Sequence, residues 1–119
     1  MINNRAIVAD FWQIINEKRW EDLPKFFAFD AKVLWPNTAE TFEVPCFVAV
    51  NKNYPGDWKI EVKKIISSFN TVISVVGVSD GQANFHAVSF FYFVDGMISC
   101  LEEYWGDDGE PPLWRQEML

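Results

Sequence analysis

Glu103 is the residue of this chain whose type and position are most informative about chemistry. It lies in the alternating segment Met97 to Trp105, which an Asp-Gly pair at positions 95–96 joins to a preceding apolar run. Such a pair predicts a β-hairpin, because a type I′ turn needs positive φ at both central residues. Alternation along the second strand then places Glu103 on one face with Leu101 and Trp105. A carboxylate between two large apolar side chains either faces solvent or lies in a pocket.

In a pocket, Glu103 would act as a general acid or base. Burial among aromatic side chains disfavours the charged form and so raises the pKa of a carboxyl group. The alternative is a structural carboxylate that is paired with a Lys, an Arg or a backbone amide. The sequence leaves both interpretations open, although carboxylates are seldom buried without a reason.

Two polar residues of the preceding strand are further candidates for contact with a ligand. Ser89 shares the predicted pocket face and would lie near Glu103, where it could orient the carboxylate, bind a ligand oxygen or simply leave space. His86 is the only histidine of the chain, and its side chain suits proton transfer near neutral pH. Alternation assigns His86 to the outer face, so it reaches a ligand only if a β-bulge shifts the register.

Aromatic residues are in surplus for so small a chain. They make up 17% of the 119 residues, with 11 Phe and 6 Trp, and a pocket lining or a dimer interface would accommodate them. The predicted pocket residues are Phe11, Trp35, Tyr54, Leu101 and Trp105, with Trp12, Phe27 and Trp58 as further possibilities. Tyr54 could donate its hydroxyl to a ligand carbonyl. For most of these residues an ordinary core position is the alternative.

Composition excludes several classes of function. The net charge of −7, with only 10 Lys and Arg, argues against a nucleic-acid partner, which requires clustered cations. Cys46 and Cys100 lack the spacing of a zinc or redox motif. The acidic run near the end lacks the spacing of a calcium loop, so it is interpreted as a solvated terminus. With no metal or nucleotide motif, no cofactor is expected.

The chain shows no membrane or export signal. No apolar run reaches the roughly 18 residues of a membrane span, and no charged segment followed by an apolar one opens the chain. We therefore expect a cytoplasmic protein without a membrane partner.

The pattern changes from helical to stranded along the chain. Apolar residues at spacings of three and four predict a helix over residues 3 to 17, and a shorter one follows Trp20. A short strand, Ala31 to Trp35, ends at Pro36; Thr41 to Val44 could pair with it, and Pro45 to Asn53 is a predicted third helix. The remaining predicted strands are Trp58 to Phe69, Val72 to Ser79, Asn84 to Phe93 and Met97 to Trp105.

These elements predict a single α+β domain over residues 1–119, with N-terminal helices packed on a strongly curved antiparallel sheet. Long strands twist and coil, so the inner face becomes concave and forms a cone with an apolar pocket. The outer face carries His86, Phe90 and Tyr92 on one strand and Ile98, Cys100 and Tyr104 on the next. So large an apolar surface predicts a homodimer through this face.

The order of the elements, with the segments WEDLPKFFAFDAKVLWP and DGMISCLEEYWGDD, resembles the nuclear transport factor two-like superfamily. The closest similarity is to its SnoaL-like polyketide cyclase and ketosteroid isomerase branch, and it extends to about Asp108. The resemblance implies the cone fold. It implies no single chemistry, since this superfamily contains isomerases, cyclases, hydrolases, dehydratases and non-catalytic binding proteins.

The catalytic pattern of ketosteroid isomerases does not carry over to this sequence. Trp35, before Pro36, stands where the resemblance implies a general-base aspartate, and Phe11 stands in place of the oxyanion tyrosine. Ser89 falls near the position of the second oxyanion residue. The final strand does match, and the polyketide cyclase branch implies that Glu103 is the acid or base.

Two functions therefore remain open. The first is a cofactor-independent enzyme that moves a proton with Glu103 on a small apolar or aromatic carbonyl compound, assisted by Tyr54 or Ser89. The second is a non-catalytic protein that only holds such a molecule or serves as a dimeric scaffold.

Overall fold

The computed structural model describes residues 3–119 and contains helices packed on one six-stranded sheet. The α-helices are α1 (Asn4–Asn16), α2 (Val44–Lys52) and α3 (Leu113–Gln116), with 3₁₀-helices at Trp20–Phe26 and Pro36–Thr38. The strands are β1 (Phe27–Trp35), β2 (Glu40–Glu43), β3 (Lys59–Ser68), β4 (Thr71–Ser79), β5 (Asn84–Val94) and β6 (Met97–Asp107). The sheet order is β2-β1-β6-β5-β4-β3. The predicted α+β class is confirmed.

The sheet is mixed, whereas the sequence predicted an antiparallel one. Strand β1 runs parallel to β6, with Val33 opposite Leu101 and Leu34 opposite Glu102, and the other pairings are antiparallel. The parallel pair joins segments far apart in the chain, so no turn residue signals it. It is this pairing that brings β1 beside the strand that carries Glu103.

The start of β1 also differs from the prediction. The helix after Trp20 is a 3₁₀-helix that ends at Phe26, and β1 begins at Phe27 rather than Ala31. Between Phe27 and Lys32 the register against β6 shifts, and this irregularity interrupts the alternation that marks a strand. The sequence of the first residues of β1 therefore does not show the period-two alternation by which a strand is predicted.

The hairpin between β5 and β6 forms as predicted, with one correction. Asp95 and Gly96 both have positive φ, 51° and 78°, as a type I′ turn requires. The register then shifts between Tyr92 and Phe93, so that Ile98 lies opposite Phe93 and is fully buried. Ile98 was assigned to the outer face because the bulge is not visible in the sequence.

Helix α1 covers the inner face of the sheet. Asn3 caps it by accepting a 3.1 Å hydrogen bond from the Ala6 amide, and its buried residues recur at the predicted spacing. Phe11 lies at the centre of the aromatic core, with its ring 5.0 Å from those of Trp12 and Phe91. Among the described residues, no helix has the length and apolarity that crossing a membrane requires.

Candidate functional site

A cavity of about 550 Å³ opens between the inner face of the sheet, α1 and the end of α2. Aromatic side chains from the sheet, from α1, from the 3₁₀-helix Trp20–Phe26 and from the loop of residues 53–58 line it, and the long strands β5 and β6 form its floor. The aromatic lining residues are Trp12, Trp20, Trp35, Tyr54, Trp58, Phe85 and Trp105. The volume lies within the range that small-molecule pockets of proteins span.

Glu103 is the buried acid of this cavity. Its side chain is 6% exposed. The Ser89 hydroxyl donates a hydrogen bond of 2.6 Å to Oε2, and the Trp35 indole Nε1 donates one of 3.1 Å to Oε1. Within residues 3–119 none of the ion pairs involves Glu103. Its partners are therefore neutral donors and not a compensating cation.

This environment raises the pKa of Glu103 above its ordinary value. Desolvation by burial is the dominant cause, and the hydrogen bonds from Ser89 and Trp35 act in the opposite direction because they stabilise the carboxylate. A buried carboxyl group whose pKa is raised in this way is a candidate general acid or base.

Trp35 and Ser89 are held in place by their strands. The Trp35 ring packs edge-on against Phe42 and Trp105, with centroids 4.7 Å away in each case, so its N–H group has a fixed direction. Ser89 lies opposite Glu103 in the antiparallel register and is fully buried. Trp35 faces the cavity, whereas Ser89 lies beneath Glu103 and is not among the lining residues.

Of the remaining predicted ligand-binding residues, some line the cavity and others lie elsewhere. Tyr54 and Trp105 line the cavity. Phe11 and Leu101 are fully buried in the core and do not line it, because their side chains are covered by their neighbours. Those two assignments are corrected to core positions.

His86 does not face the cavity. The register of β5 against β6 is regular from Phe85 to Tyr92, so no bulge turns His86 inwards and it stays on the outer face. There its Nδ1 lies 2.6 Å from Oδ1 of Asp108. The prediction of ligand contact through an inward shift is therefore corrected.

The loop of residues 53–58 forms one wall of the cavity and is fixed to the turn that follows α1. Lys18 Nζ lies 3.2 Å from Oδ1 of Asp57 and donates to the carbonyl of Trp58 at 3.3 Å. Tyr54 packs on the Trp58 ring with centroids 5.3 Å apart. These contacts hold both aromatic rings at the mouth.

Ser74 was not identified as a candidate from the sequence. It is fully buried on the inner face of β4, opposite Ser89, and its hydroxyl accepts a 2.9 Å hydrogen bond from the Trp12 indole. The available signal was alternation, which places a polar Ser74 between Val72 and Val76 on an apolar face. No group of three or more His, Cys, Asp and Glu suited to a metal ion occurs within the described residues.

Comparison with known proteins gives structural neighbours. No protein-family model and no curated protein matches the chain. A proposed ketosteroid isomerase from Kribbella flavida is 26% identical, with a TM-score of 0.85, over 98% of this chain and 87% of that one. A nuclear transport factor two-like protein of unknown function from Burkholderia xenovorans is 22% identical, with a TM-score of 0.84, over 98% and 92% of the two chains.

A proposed polyketide cyclase from Streptomyces antibioticus is also similar. It is 15% identical, with a TM-score of 0.73, over 89% of this chain and 92% of that one. The similarity in each case extends over most of both chains, and it agrees with the resemblance in the sequence. The chain therefore has the fold of the nuclear transport factor two-like superfamily, with ketosteroid isomerase-like and polyketide cyclase-like proteins among its structural neighbours.

Proposed function

We propose that this protein binds a small, mostly apolar, carbonyl-bearing molecule in the cavity and catalyses a cofactor-independent isomerisation, cyclisation or elimination by proton transfer through Glu103. The observation that carries the proposal is a carboxyl group that is buried at an aromatic cavity and takes part in none of the ion pairs of the described residues. Burying a charge or a strong hydrogen-bond acceptor costs free energy. Binding and catalytic sites are the usual places where proteins keep such a group buried.

The chemistry follows from the two forms of Glu103. As a carboxylate it can remove a proton from the carbon next to a ligand carbonyl, and as the neutral acid it can return that proton to another atom. Aromatic walls exclude water, which strengthens the electrostatic interactions at the reacting atoms. Tyr54, at the mouth, is the side chain that we expect to donate to the developing oxyanion.

The experiment is an exchange assay on a panel of cyclic and aromatic ketones in D₂O, followed by proton NMR. We expect the wild-type protein to accelerate loss of the proton signal next to the carbonyl for at least one member of the panel. Glu103→Gln should abolish that acceleration while ligand binding is retained. Glu102→Gln is the matched control, because it makes the same change one residue away on the outer face.

The alternative is a non-catalytic binding protein of the same fold. It is favoured by Phe11, which offers no hydroxyl where a related enzyme pattern has one. Ketones that bind without any accelerated exchange would support this alternative and contradict the enzyme proposal.

We further propose a homodimer through the outer face of the sheet. Val88 and Phe90 are half-buried there, and Tyr92 and Tyr104 are exposed. Both tyrosine hydroxyls donate to Glu102, at 3.1 and 2.7 Å, so the charge in the middle of this surface already has partners. An apolar face of this kind is suited to a two-fold contact with a second copy.

A further inference from the structure

Tryptophan is concentrated at the cavity. Of the 6 tryptophans of the chain, all except Trp114 line it, and they come from α1, the first 3₁₀-helix, β1, the loop before β3, and β6. The lining tryptophans are Trp12, Trp20, Trp35, Trp58 and Trp105. Aliphatic side chains are sufficient to hold a neutral apolar ligand, so a wall built largely from indole rings requires a separate explanation.

The aromatic rings of the wall are steeply inclined to one another. The planes of Trp35 and Trp105 meet at 83°, with ring centroids 4.7 Å apart. Those of Trp58 and Phe85 meet at 62°, with centroids 5.4 Å apart. A flat ring that is held by stacking between two walls needs those walls to be parallel. Inclined walls instead suit a rounded group such as an ammonium carrying several carbon substituents.

Glu103 adds a negative group beside these rings. Trp35 donates to its Oε1 at 3.1 Å, and Trp105 lies two residues further along β6 and lines the same cavity. None of the ion pairs among residues 3–119 includes Glu103. The face of an indole ring is the negative side of its quadrupole and attracts cations. The carboxylate and the rings therefore favour the same sign of charge in a ligand.

The other charged groups of the cavity lie in its exposed wall. They are Lys18, Lys52 and Asp107. Lys18 is paired with Asp57 at 3.2 Å, and Lys52 and Asp107 have opposite signs, so these charges largely compensate one another. The net charge of the chain is −7, which favours the approach of a cation from solution.

We propose that the preferred ligand of this cavity is an organic cation, an otherwise apolar molecule with a tertiary or quaternary ammonium group that the indole rings surround and Glu103 neutralises. The inference rests on the proposed function for the cavity and for Glu103, and it adds a positive charge to the carbonyl compound. Enclosure by aromatic rings is an established way for proteins to recognise ammonium groups.

A cationic ligand would also activate Glu103. Burial favours the neutral acid in the free protein, whereas a nearby ammonium favours the carboxylate, the form that removes a proton from carbon. Where the neutral acid predominates, binding releases a proton, so affinity should rise with pH up to the pKa of the free protein. Lys18, Lys52, Tyr54 and Asp107, the other titratable groups that line the cavity, are retained in Glu103→Gln. A pH dependence missing from that variant therefore belongs to Glu103.

The test compares two ketones of the same shape. Phenacyltrimethylammonium and neopentyl phenyl ketone differ only in a charged nitrogen that replaces a carbon atom. Their dissociation constants are measured by proton–nitrogen NMR titration of the indole N–H signals. We expect the cation to bind the wild-type protein about 10- to 100-fold more tightly than its neutral isostere.

Four variants assign this preference to its sources. Glu103→Gln keeps the shape of the side chain but removes its charge, and it should reduce the preference to less than about threefold. Glu102→Gln, on the outer face, should retain it. Trp105→Leu keeps an apolar wall without the ring, and it should weaken cation binding by about 3- to 30-fold more than binding of the neutral ketone. Trp114→Leu, outside the cavity, should change neither.

The outcomes separate this inference from the proposed function. A preference for the cation that is lost in Glu103→Gln and reduced in Trp105→Leu supports it. A cation that binds no more tightly than its isostere, or a preference that survives either substitution, overturns it. Accelerated exchange of a neutral ketone without any preference would leave the proposed function standing alone. Selective cation binding without accelerated exchange of any ketone would leave this inference standing and contradict the enzyme proposal.

Discussion

Ser89 lies directly opposite Glu103 on the neighbouring strand and donates a 2.6 Å hydrogen bond to its Oε2. Burial disfavours the carboxylate, and this hydrogen bond favours it; burial is the larger cause, so the pKa of Glu103 is raised. The carboxyl group is therefore desolvated without being ion-paired. That combination distinguishes a candidate acid–base group from a structural salt bridge.

Stability should depend on pH through Glu103. A carboxyl group whose pKa is raised on folding stabilises the protein fully below its unfolded pKa, and that contribution is lost as the pH rises through the folded pKa. Glu103→Gln lacks this dependence. The free energy of unfolding of the wild type should thus fall relative to that of the variant as pH rises, by about 1.4 kcal/mol for each unit between the folded and unfolded pKa.

Urea denaturation at a series of pH values from acid to neutral measures this difference. Glu102→Gln, on the outer face, should follow the wild type. A difference between wild type and Glu103→Gln that stays constant across the series would show that burial does not perturb the titration of Glu103.

Removing one N–H donor from the cavity wall should change the pKa of Glu103. Trp35→Phe keeps an aromatic ring between Phe42 and Trp105 but removes the donor to Oε1. We expect the pKa of Glu103 to rise further. At a pH where Glu103 is charged, the variant should lose about 1 to 3 kcal/mol of stability. NMR titration and denaturation measure the two effects.

The matched control for Trp35→Phe is Trp58→Phe. Trp58 donates instead to the Pro55 carbonyl, at 2.7 Å, so its substitution should leave the titration of Glu103 unchanged. Equal pKa values in the wild type and Trp35→Phe would mean that this hydrogen bond has no part in tuning Glu103.

Phe11 should contribute to the free energy of unfolding and should not affect the titration of Glu103. Its ring is fully buried and contacts those of Trp12 and Phe91, so Phe11→Ala should cost about 3 to 5 kcal/mol. Phe11→Leu is the milder variant if the alanine variant does not fold, and it should leave the pKa of Glu103 unchanged. A loss below about 1 kcal/mol in Phe11→Ala would contradict the core assignment.

The proposed dimer predicts that a charge introduced into the outer face of the sheet will lower the mass of the particle in solution. Phe90→Asp places a charge in the apolar outer face and should convert a dimer into a monomer in sedimentation equilibrium. Phe29→Asp makes the same substitution on β1, where the side chain is fully exposed, and should leave the dimer intact. A monomeric wild-type protein would refute the proposal outright.

Local patterns were sufficient to predict the strand that carries the site. The turn at Asp95 and Gly96 and the alternation of Leu101, Glu103 and Trp105 depend on neighbouring residues, so the sequence indicates them directly. Pairing of β1 with β6 depends on the whole fold. The contact of Trp35 with Glu103 could not be predicted for that reason.

Residues at the helix–sheet contact were the least predictable. Alternation places Ser74 on the inner face, but its partner Trp12 is 62 positions away, on α1. Phe11 and Trp12 are adjacent in the sequence, yet Trp12 lines the cavity and Phe11 does not. The orientation of the helix decides between them, and spacing alone does not define it.

The most direct test of the account is the pKa of the Glu103 carboxyl group in the wild-type protein, measured by carbon-detected NMR with Glu103→Gln as the reference. The account predicts a value clearly above the ordinary glutamate pKa of about 4.3. An ordinary or lowered value would mean that the carboxylate is solvated or otherwise stabilised, and it would contradict proton transfer by Glu103.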